Sequence, residues 1–340
     1  MNQAPTRETL ARLLAHAGLA GVPHLEPLTG GANNRVFRVE VGGRKVALKV
    51  YFRHPEDLRD RLGAEWAFLS FAWDHGLRCV PQPLACDRAG NAALYEYVCG
   101  ERLVSGEVGR EELGQALALY RALHRLQPLP EASALPPASE ACFTLADHRE
   151  CVARRVRRLA EVTGGEAQSF VREELAPACE RVAGALEGRE AELALPEADH
   201  CLSPSDFGFH NALREAGGRL RFLDFEYAGW DDPAKLVGDF FCQPAVPVPP
   251  ELYPEFAGAV AAELSDPGLH LARCGALLPL YRLKWCCILL NGLLPEGSAR
   301  RRFAAGEGPA PESAARQLTA ARALLRRAQS DLDSPGAVTP

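Results

Sequence analysis

Residues 203–211 read Ser203-Pro204-Ser205-Asp206-Phe207-Gly208-Phe209-His210-Asn211, and Leu223-Asp224-Phe225-Glu226 follows a short interval containing Gly217-Gly218. Asp206 and Asn211 have the D-x-x-x-x-N spacing that puts a base and a metal-ligating amide on one tight loop. The alternating segments Ala212-Leu213 and Leu220-Arg221-Phe222-Leu223, around the glycine pair, predict a hairpin. Its second strand brings Asp224 beside Asn211. Taken singly, these are ordinary turn and strand-end residues. As a set in this order they point to phosphoryl transfer, with Asp206 beside the reacting hydroxyl and Asn211 and Asp224 holding Mg²⁺ against nucleotide phosphates.

Upstream, Val46-Ala47-Leu48-Lys49-Val50 reads as a strand. Its period of two puts Val46, Leu48 and Val50 on one face and Ala47 and Lys49 on the other. A small Ala leaves room for a flat base and the Lys reaches phosphates, the V-A-x-K pattern; the plainer reading is a lysine in any sheet. Glu65, mid-helix among Leu62, Trp66 and Leu69, is the expected ion-pair partner of Lys49. Glu56, Asp57 and Asp60 stand at or before the helix start, where they suit the dipole. One strand earlier, Thr29-Gly30-Gly31-Ala32-Asn33-Asn34 is a turn whose backbone amides can face phosphate oxygens, with Gly30, Gly31 and Asn34 as candidates.

The remaining pattern divides the chain. A short helix over 7–19 precedes strands from 25 to 52, a helix over 59–75 and further strands over 79–99, making a small α+β unit over 1–98. From 99 to 334 the pattern is mostly helical: 111–126, 145–162, 166–187, 251–264, 270–294 and 312–329, interrupted by the hairpin. A tail occupies 335–340. The net charge of −6 gives no global field favouring nucleic acid. The eleven cysteines form no C-x-x-C pair, so zinc and disulfide frameworks are not expected and reduced thiols in the cytoplasm are. The N-terminus shows no secretion pattern. The apolar stretch from Cys274 to Leu294 is broken by Pro279, Arg282, Lys284 and Asn291, which predicts a buried helix and no membrane partner.

Other residues join the candidate site. Glu226 reads either as reaching a second metal or the nucleotide phosphates or as a surface residue, and Ser205 as contacting the acceptor or capping its turn. His210 reads as structural. Asp239 is expected to brace the catalytic loop by accepting backbone hydrogen bonds. The backbone of Glu96-Tyr97-Val98, ending the last strand of the small unit, is expected at the adenine edge. Arg282 and Trp285 share one apolar helix stripe, and Lys284 interrupts another. Such cations need a partner, either a protein carboxylate or an anionic group on the substrate. The runs Arg154-Arg155, Arg157-Arg158 and Arg300-Arg301-Arg302 read as solvated helix faces and a loop.

From Leu28 to Phe241 the sequence resembles the aminoglycoside phosphotransferase and choline kinase-like superfamily. The resemblance rests on Thr29 to Asn34, Val46-Ala47-Leu48-Lys49, Glu65, Leu123-His124, Asp206 with Asn211, and Asp224. It implies a bilobal protein-kinase-like α+β fold, with a small antiparallel-sheet lobe and a larger helical lobe carrying the catalytic hairpin. It also implies ATP and Mg²⁺, and transfer to a hydroxyl of a small molecule such as a sugar, an aminoglycoside or an amino alcohol. In this reading Asp206 is the base, Asn211 and Asp224 are metal ligands, and Lys49 binds the α- and β-phosphates in partnership with Glu65. One departure stands out: the family's His-Gly before the catalytic Asp is Pro204-Ser205 here. That departure is the one feature favouring a nucleotide-binding module without activity. A third reading is a kinase acting on protein-bound sugar adducts.

Overall fold

The computed structural model describes residues 5–28, 33–55, 57, 59–161, 165–305 and 314–333. The upper lobe contains α1 (Arg7–His16), β1 (His24–Leu28), β2 (Arg35–Val41), β3 (Arg44–Val50), α2 (Arg61–Asp74), β4 (Pro83–Asp87) and β5 (Ala92–Glu96). The strands form one antiparallel sheet in the order β1-β2-β3-β5-β4. Alternation along β3 sorts its side chains as the sequence predicts. Val46, Leu48 and Val50 pack in a cluster with Leu10, Leu13 and Leu14 of α1. Ala47 lies on the opposite face, against the larger core that includes Leu62, Phe68 and Leu69 of α2. Asp60 caps α2 by accepting the Gly63 N–H at 2.9 Å.

The lower lobe follows with β6 (Glu101–Arg102), α3 (Arg110–Leu126), α4 (Leu145–Ala160), α5 (Gly165–Ser169), α6 (Ala176–Gly184) and β7 (Cys201–Ser203). Next come β8 (Ala212–Arg214), β9 (Leu220–Phe222), β10 (Gly229–Asp231), α7 (Pro233–Cys242) and α8 (Tyr253–Ala261). The chain closes with α9 (Pro267–Leu290), α10 (Pro295–Ala305) and α11 (Ala314–Asp333). We place the boundary between lobes at 97–100, because β6 already pairs with β8 of the hairpin. The hairpin has the expected register, Ala212 opposite Phe222. The tail at 335–340, like Gly30 and Gly31, lies outside the described residues.

Helix α9 organises this lobe, packing against α4, α7 and α11. It is long and apolar enough to cross a membrane by composition alone. It is instead enclosed by protein, and its cations Arg273, Arg282 and Lys284 are buried. A protein interior tolerates such cations where carboxylates meet them, and α7 supplies these. Asp232 caps α7, accepting the Ala234 N–H at 2.7 Å, and also receives His148 Nε2 at 2.8 Å and the Arg273 guanidinium.

Four features differ from the sequence reading. The run 166–187 is one continuous helical stretch, but a π-helical segment, Phe170–Leu175, lies between α5 and α6. Helix α7 was not anticipated, because its ten residues are buried on nearly every side and show no amphipathic stripe. Arg300-Arg301-Arg302, expected in a loop, lies in α10. That helix reaches the upper lobe, where the Phe303 ring lies 5.6 Å from that of Phe52. Within the basic run on α4, Arg155 is not solvated but paired with Glu140.

Asp232 provides a test of this core. Burial alone would raise its pKa, but the His148 hydrogen bond and the nearby Arg273 charge pull it down to about 2. A depressed carboxylate stabilises fully above its unfolded pKa of about 3.9 and loses that contribution as pH falls toward the folded value. Asp232→Asn should therefore cost about 3–5 kcal/mol at neutral pH, the cost of stranding a buried cation. Urea unfolding at a series of pH values should show the deficit shrinking below about pH 3.9.

Candidate active site

The two lobes meet at Lys49. Its ammonium lies 2.6 Å from Glu65 Oε2 on α2 and 2.5 Å from Asp224 Oδ1 just beyond β9. Tyr51 donates its hydroxyl to the same Glu65 oxygen at 2.8 Å, and the Phe225 N–H reaches Glu65 Oε1 at 3.3 Å. Glu65 thus fixes both the lysine and the segment after Asp224. Burial alone would lower the Lys49 pKa, but Asp224 and Glu65 together hold it well above the usual value. Burial pushes the Glu65 carboxyl up, against the pull of Lys49.

The hairpin places the second half of the site. Leu223 N–H donates to Asn211 O at 2.7 Å, which sets Asn211 next to the strand that ends at Asp224. Asn211 Nδ2 donates to the Asp206 carbonyl at 2.9 Å and to its carboxylate at 3.1 Å. Burial works to raise the Asp206 pKa, but the His210 and Asn211 hydrogen bonds outweigh it and lower the value, so Asp206 is ionised at neutral pH. Arg221 on β9 anchors the hairpin to the upper lobe, binding Glu96 at 2.5 Å and the Val80 carbonyl at 3.0 Å. The Glu96 side chain is therefore an interlobe anchor, and its N–H is spent on the Gln82 carbonyl at 2.8 Å. Val98 is buried just beyond it.

The loop before Asp206 solves the absence of the family's His-Gly in its own way. Phe207 and Phe209 drive into the core, 4.9 and 5.3 Å from the Phe240 ring. His210 Nε2 lies 3.2 Å from Asp206 Oδ1, so this histidine meets the candidate base. Gly208 makes room for it: a Cβ there would come within 2.7 Å of His210 Nδ1. Ser205 and Asp224 both adopt φ of +65°, a left-handed conformation that favours Gly. The family's Gly before the catalytic Asp fits that backbone, and Ser205 holds it with its N–H donated to Ser203 Oγ at 3.0 Å.

Other expected residues fall into place around this centre. Glu226 does not face solvent. It is buried, and accepts from Asn33 and Asn34, each at 2.6 Å. Arg61, buried at the start of α2, lies 3.5 Å from Glu226 Oε2. Asp239 does not brace the catalytic loop: its carboxylate receives Lys284 Nζ at 2.7 Å and Trp285 Nε1 at 2.9 Å. Lys284 thus has a protein carboxylate as partner. The Trp285 ring meets His210 edge-on, 6.5 Å between ring centres, which puts it beside the catalytic loop. Arg282 is buried in the same helix, and the groups bonded to the Asp206 carboxylate are His210 and Asn211. The sequence reading did not single out Tyr227 or Arg61, whose contacts join segments far apart in the chain and leave no local pattern.

Asp224 and Asn211 offer hard oxygen donors of the kind Mg²⁺ takes. Among the described residues no three His, Cys, Asp or Glu side chains gather into a cage. Mg²⁺ is commonly bound through one or two carboxylates plus substrate phosphates, so the set fits it.

Two lobes, a lysine–glutamate pair and an Asp-Asn loop ahead of a second Asp define a kinase-like fold and site. A model of the phosphotransferase enzyme family matches residues 24–273, most of the chain, and the protein belongs to that family. It is a phosphotransferase of the kind that acts on hydroxyl acceptors. Solved structures agree in fold. A choline/ethanolamine kinase family protein from Mesorhizobium loti is 21% identical with a TM-score of 0.60, covering 98% of this chain and 96% of its own. Choline kinase from Cryptosporidium parvum Iowa II is 11% identical with a TM-score of 0.60, covering 93% and 92%. The streptomycin–ATP–APH(2")-IIa ternary complex is 14% identical with a TM-score of 0.53, covering 89% and 99%. A search of curated proteins gives no match.

Ser205→Gly should stabilise the protein by about 1 kcal/mol, because a left-handed conformation costs an L-residue about 1–2 kcal/mol. Thermal unfolding measures this. An unchanged or lower melting temperature would show that the Ser205 contacts outweigh the backbone strain.

Proposed function

We propose that the protein transfers the γ-phosphoryl group of ATP to a hydroxyl of a small molecule, a sugar, aminoglycoside or amino alcohol, with Asp206 as the base. The observation that carries this reading is the convergence of Lys49, Asp224, Asn211 and Asp206, drawn from separate parts of the chain, within a linked set of contacts. Asp206 is ionised and oriented on two sides, by His210 and Asn211, as a base that positions an acceptor hydroxyl and takes its proton must be. Lys49, held by Glu65, is aimed where the α- and β-phosphates would lie, and Ala47 leaves space for the base of the nucleotide. Asn211 and Asp224 would hold Mg²⁺, whereas both Glu226 oxygens are already taken by Asn33, Asn34 and Arg61. The metal supplies neutralisation of charge on the β- and γ-phosphate oxygens. Trp285 and Ser205 border the catalytic loop on the acceptor side.

The reading as an inactive binding module drew on Pro204-Ser205 alone. The Phe207, Phe209 and His210 contacts anchor that loop by other means, which favours activity.

The experiment is phosphate transfer from MgATP to a mixed panel of sugars, aminoglycosides and amino alcohols, read as a phosphate mass gain. Asp206→Asn should lower turnover about 10²–10⁴-fold while leaving nucleotide binding intact. Near-wild-type turnover in that variant removes Asp206 from the mechanism. Lys49→Ala should weaken productive ATP binding, seen as a raised KM for ATP together with a lower kcat. Unchanged kinetics would mean that Lys49 does not meet the phosphates.

A further inference from the structure

Behind Lys49 stand two buried phenols, Tyr51 and Tyr95, with no role in the chemistry above. Tyr51 follows Lys49 by two residues, so the period of the strand puts both on one face. Tyr95 comes to that face from β5, where it lies opposite Ala47, while Ala93 lies opposite Lys49. Ala93 brings only a methyl to the space between the phenols, and all three residues belong to the larger core. The Tyr51 backbone is pinned to the turn before β5. Its N–H donates to the Asn91 carbonyl at 3.0 Å, and its carbonyl accepts from Asn91 Nδ2 at 2.7 Å.

The hydroxyls form a chain that ends on Glu65. The Tyr51 hydroxyl oxygen lies 2.8 Å from Glu65 Oε2 and 2.7 Å from the Tyr95 hydroxyl oxygen. A carboxylate only accepts, so the Tyr51 proton points to Glu65 and the Tyr95 hydroxyl donates to the Tyr51 oxygen. Burial, and after it the Glu65 charge, pushes both phenols well above their ordinary pKa, which keeps both protons in place. Lys49 Nζ also lies 5.2 Å from the centre of the Tyr51 ring, within cation–π range. One side chain thus touches both members of the ion pair, Lys49 through its ring and Glu65 through its hydroxyl.

Lys49 divides its charge between Glu65 and Asp224. Phosphate oxygens arriving at Lys49 would draw part of that charge away from Glu65. The Glu65 side chain is only 4% exposed, so water does not make up the loss. Two donors stay on the carboxylate, the Phe225 N–H at 3.3 Å and the Tyr51 hydroxyl, which is the closer. We propose that Tyr51 is a positioning residue for nucleotide use: its hydroxyl, oriented by Tyr95, supports the Glu65 carboxylate while Lys49 turns to the phosphates of ATP. This role rests on the proposed use of ATP. It makes phosphate affinity depend on a side chain that meets neither the phosphates nor the metal.

The test is calorimetric titration of the full chain with MgATP and, separately, with adenosine, which lacks the phosphates. Tyr51→Phe keeps the ring and removes only the hydroxyl. It should weaken MgATP about tenfold, as loss of one hydrogen bond to a charged group implies, and leave adenosine unchanged. Tyr95→Phe frees the Tyr51 hydroxyl to turn and should weaken MgATP in the same direction but by less. Melting temperatures verify that each variant folds; if Tyr51→Phe does not, Tyr95→Phe decides. In turnover the deciding variant should raise KM for ATP and leave KM for the acceptor unchanged, a split that general loosening of the lobe would not give. If MgATP binds that variant as tightly as it binds the wild type, or if adenosine weakens as much as MgATP, the phenols serve only packing and the proposal fails. If the wild-type chain itself does not bind MgATP, the proposed function fails and this role with it, an outcome distinct from equal binding by wild type and variant.

Discussion

The buried lysine shared by two carboxylates is the constraint from which the rest of the site follows. Lys49 belongs to the sheet, Glu65 to α2 and Asp224 to the lower lobe, so one ammonium sets the position of three elements. Burying these charges is expensive, and Glu65 offsets the cost by receiving other donors as well. Tyr51, Lys49 and the Phe225 N–H converge on it. The Asp224 side chain keeps about a third of its surface open, at 31% relative exposure, which leaves it able to meet metal and nucleotide. The position of the lysine is thus set by protein groups on three elements.

The loop from Ser203 to Asn211 holds Asp206 and Asn211 together by contacts of its own. A loop that must present Asp206 and Asn211 together needs a left-handed residue before the Asp and something to press the chain against the core. Ser205 accepts the left-handed backbone, and Phe207 and Phe209 press the loop against the Phe240 ring. His210 then orients the carboxylate from the far side of the loop. Alternation of Phe207, Gly208, Phe209 and His210 makes this possible. The aromatic positions point to the Phe240 cluster, and Gly208 leaves the space that the His210 ring occupies.

Much of this was legible in the sequence because it depends on local period and spacing. The alternation of β3 fixed which face carries Lys49, D-x-x-x-x-N defined the loop, and the glycine pair defined the hairpin. Glu65 was legible as a charge at a helical position otherwise surrounded by apolar residues. What escaped depends on contacts distant in the chain. Helix α7 is buried all round and has no stripe to reveal it. The partners of Glu226, Asn33, Asn34 and Arg61, come from two other elements. Asp239 sits near the catalytic loop in the sequence reading, yet its charge is claimed by Lys284, forty-five positions away on α9. Long-range pairing of buried charges has no local signature.

Helix α10 adds a constraint that the kinase-like core alone would not have. The lobes are already joined through the 97–100 segment and the Arg221–Glu96 pair. A second connection now runs up from α9, where Phe303 packs against Phe52 and the cluster beneath α1. A cleft held on two sides opens less freely than one held by a single hinge, and nucleotide exchange needs opening. Either α10 moves with the upper lobe, carried by the short 3₁₀ turn Asn291–Leu293, or its apolar contact is broken in each cycle. The ring pair adds about 1 kcal/mol beyond area burial, and α10 also meets β2 and the cluster beneath α1.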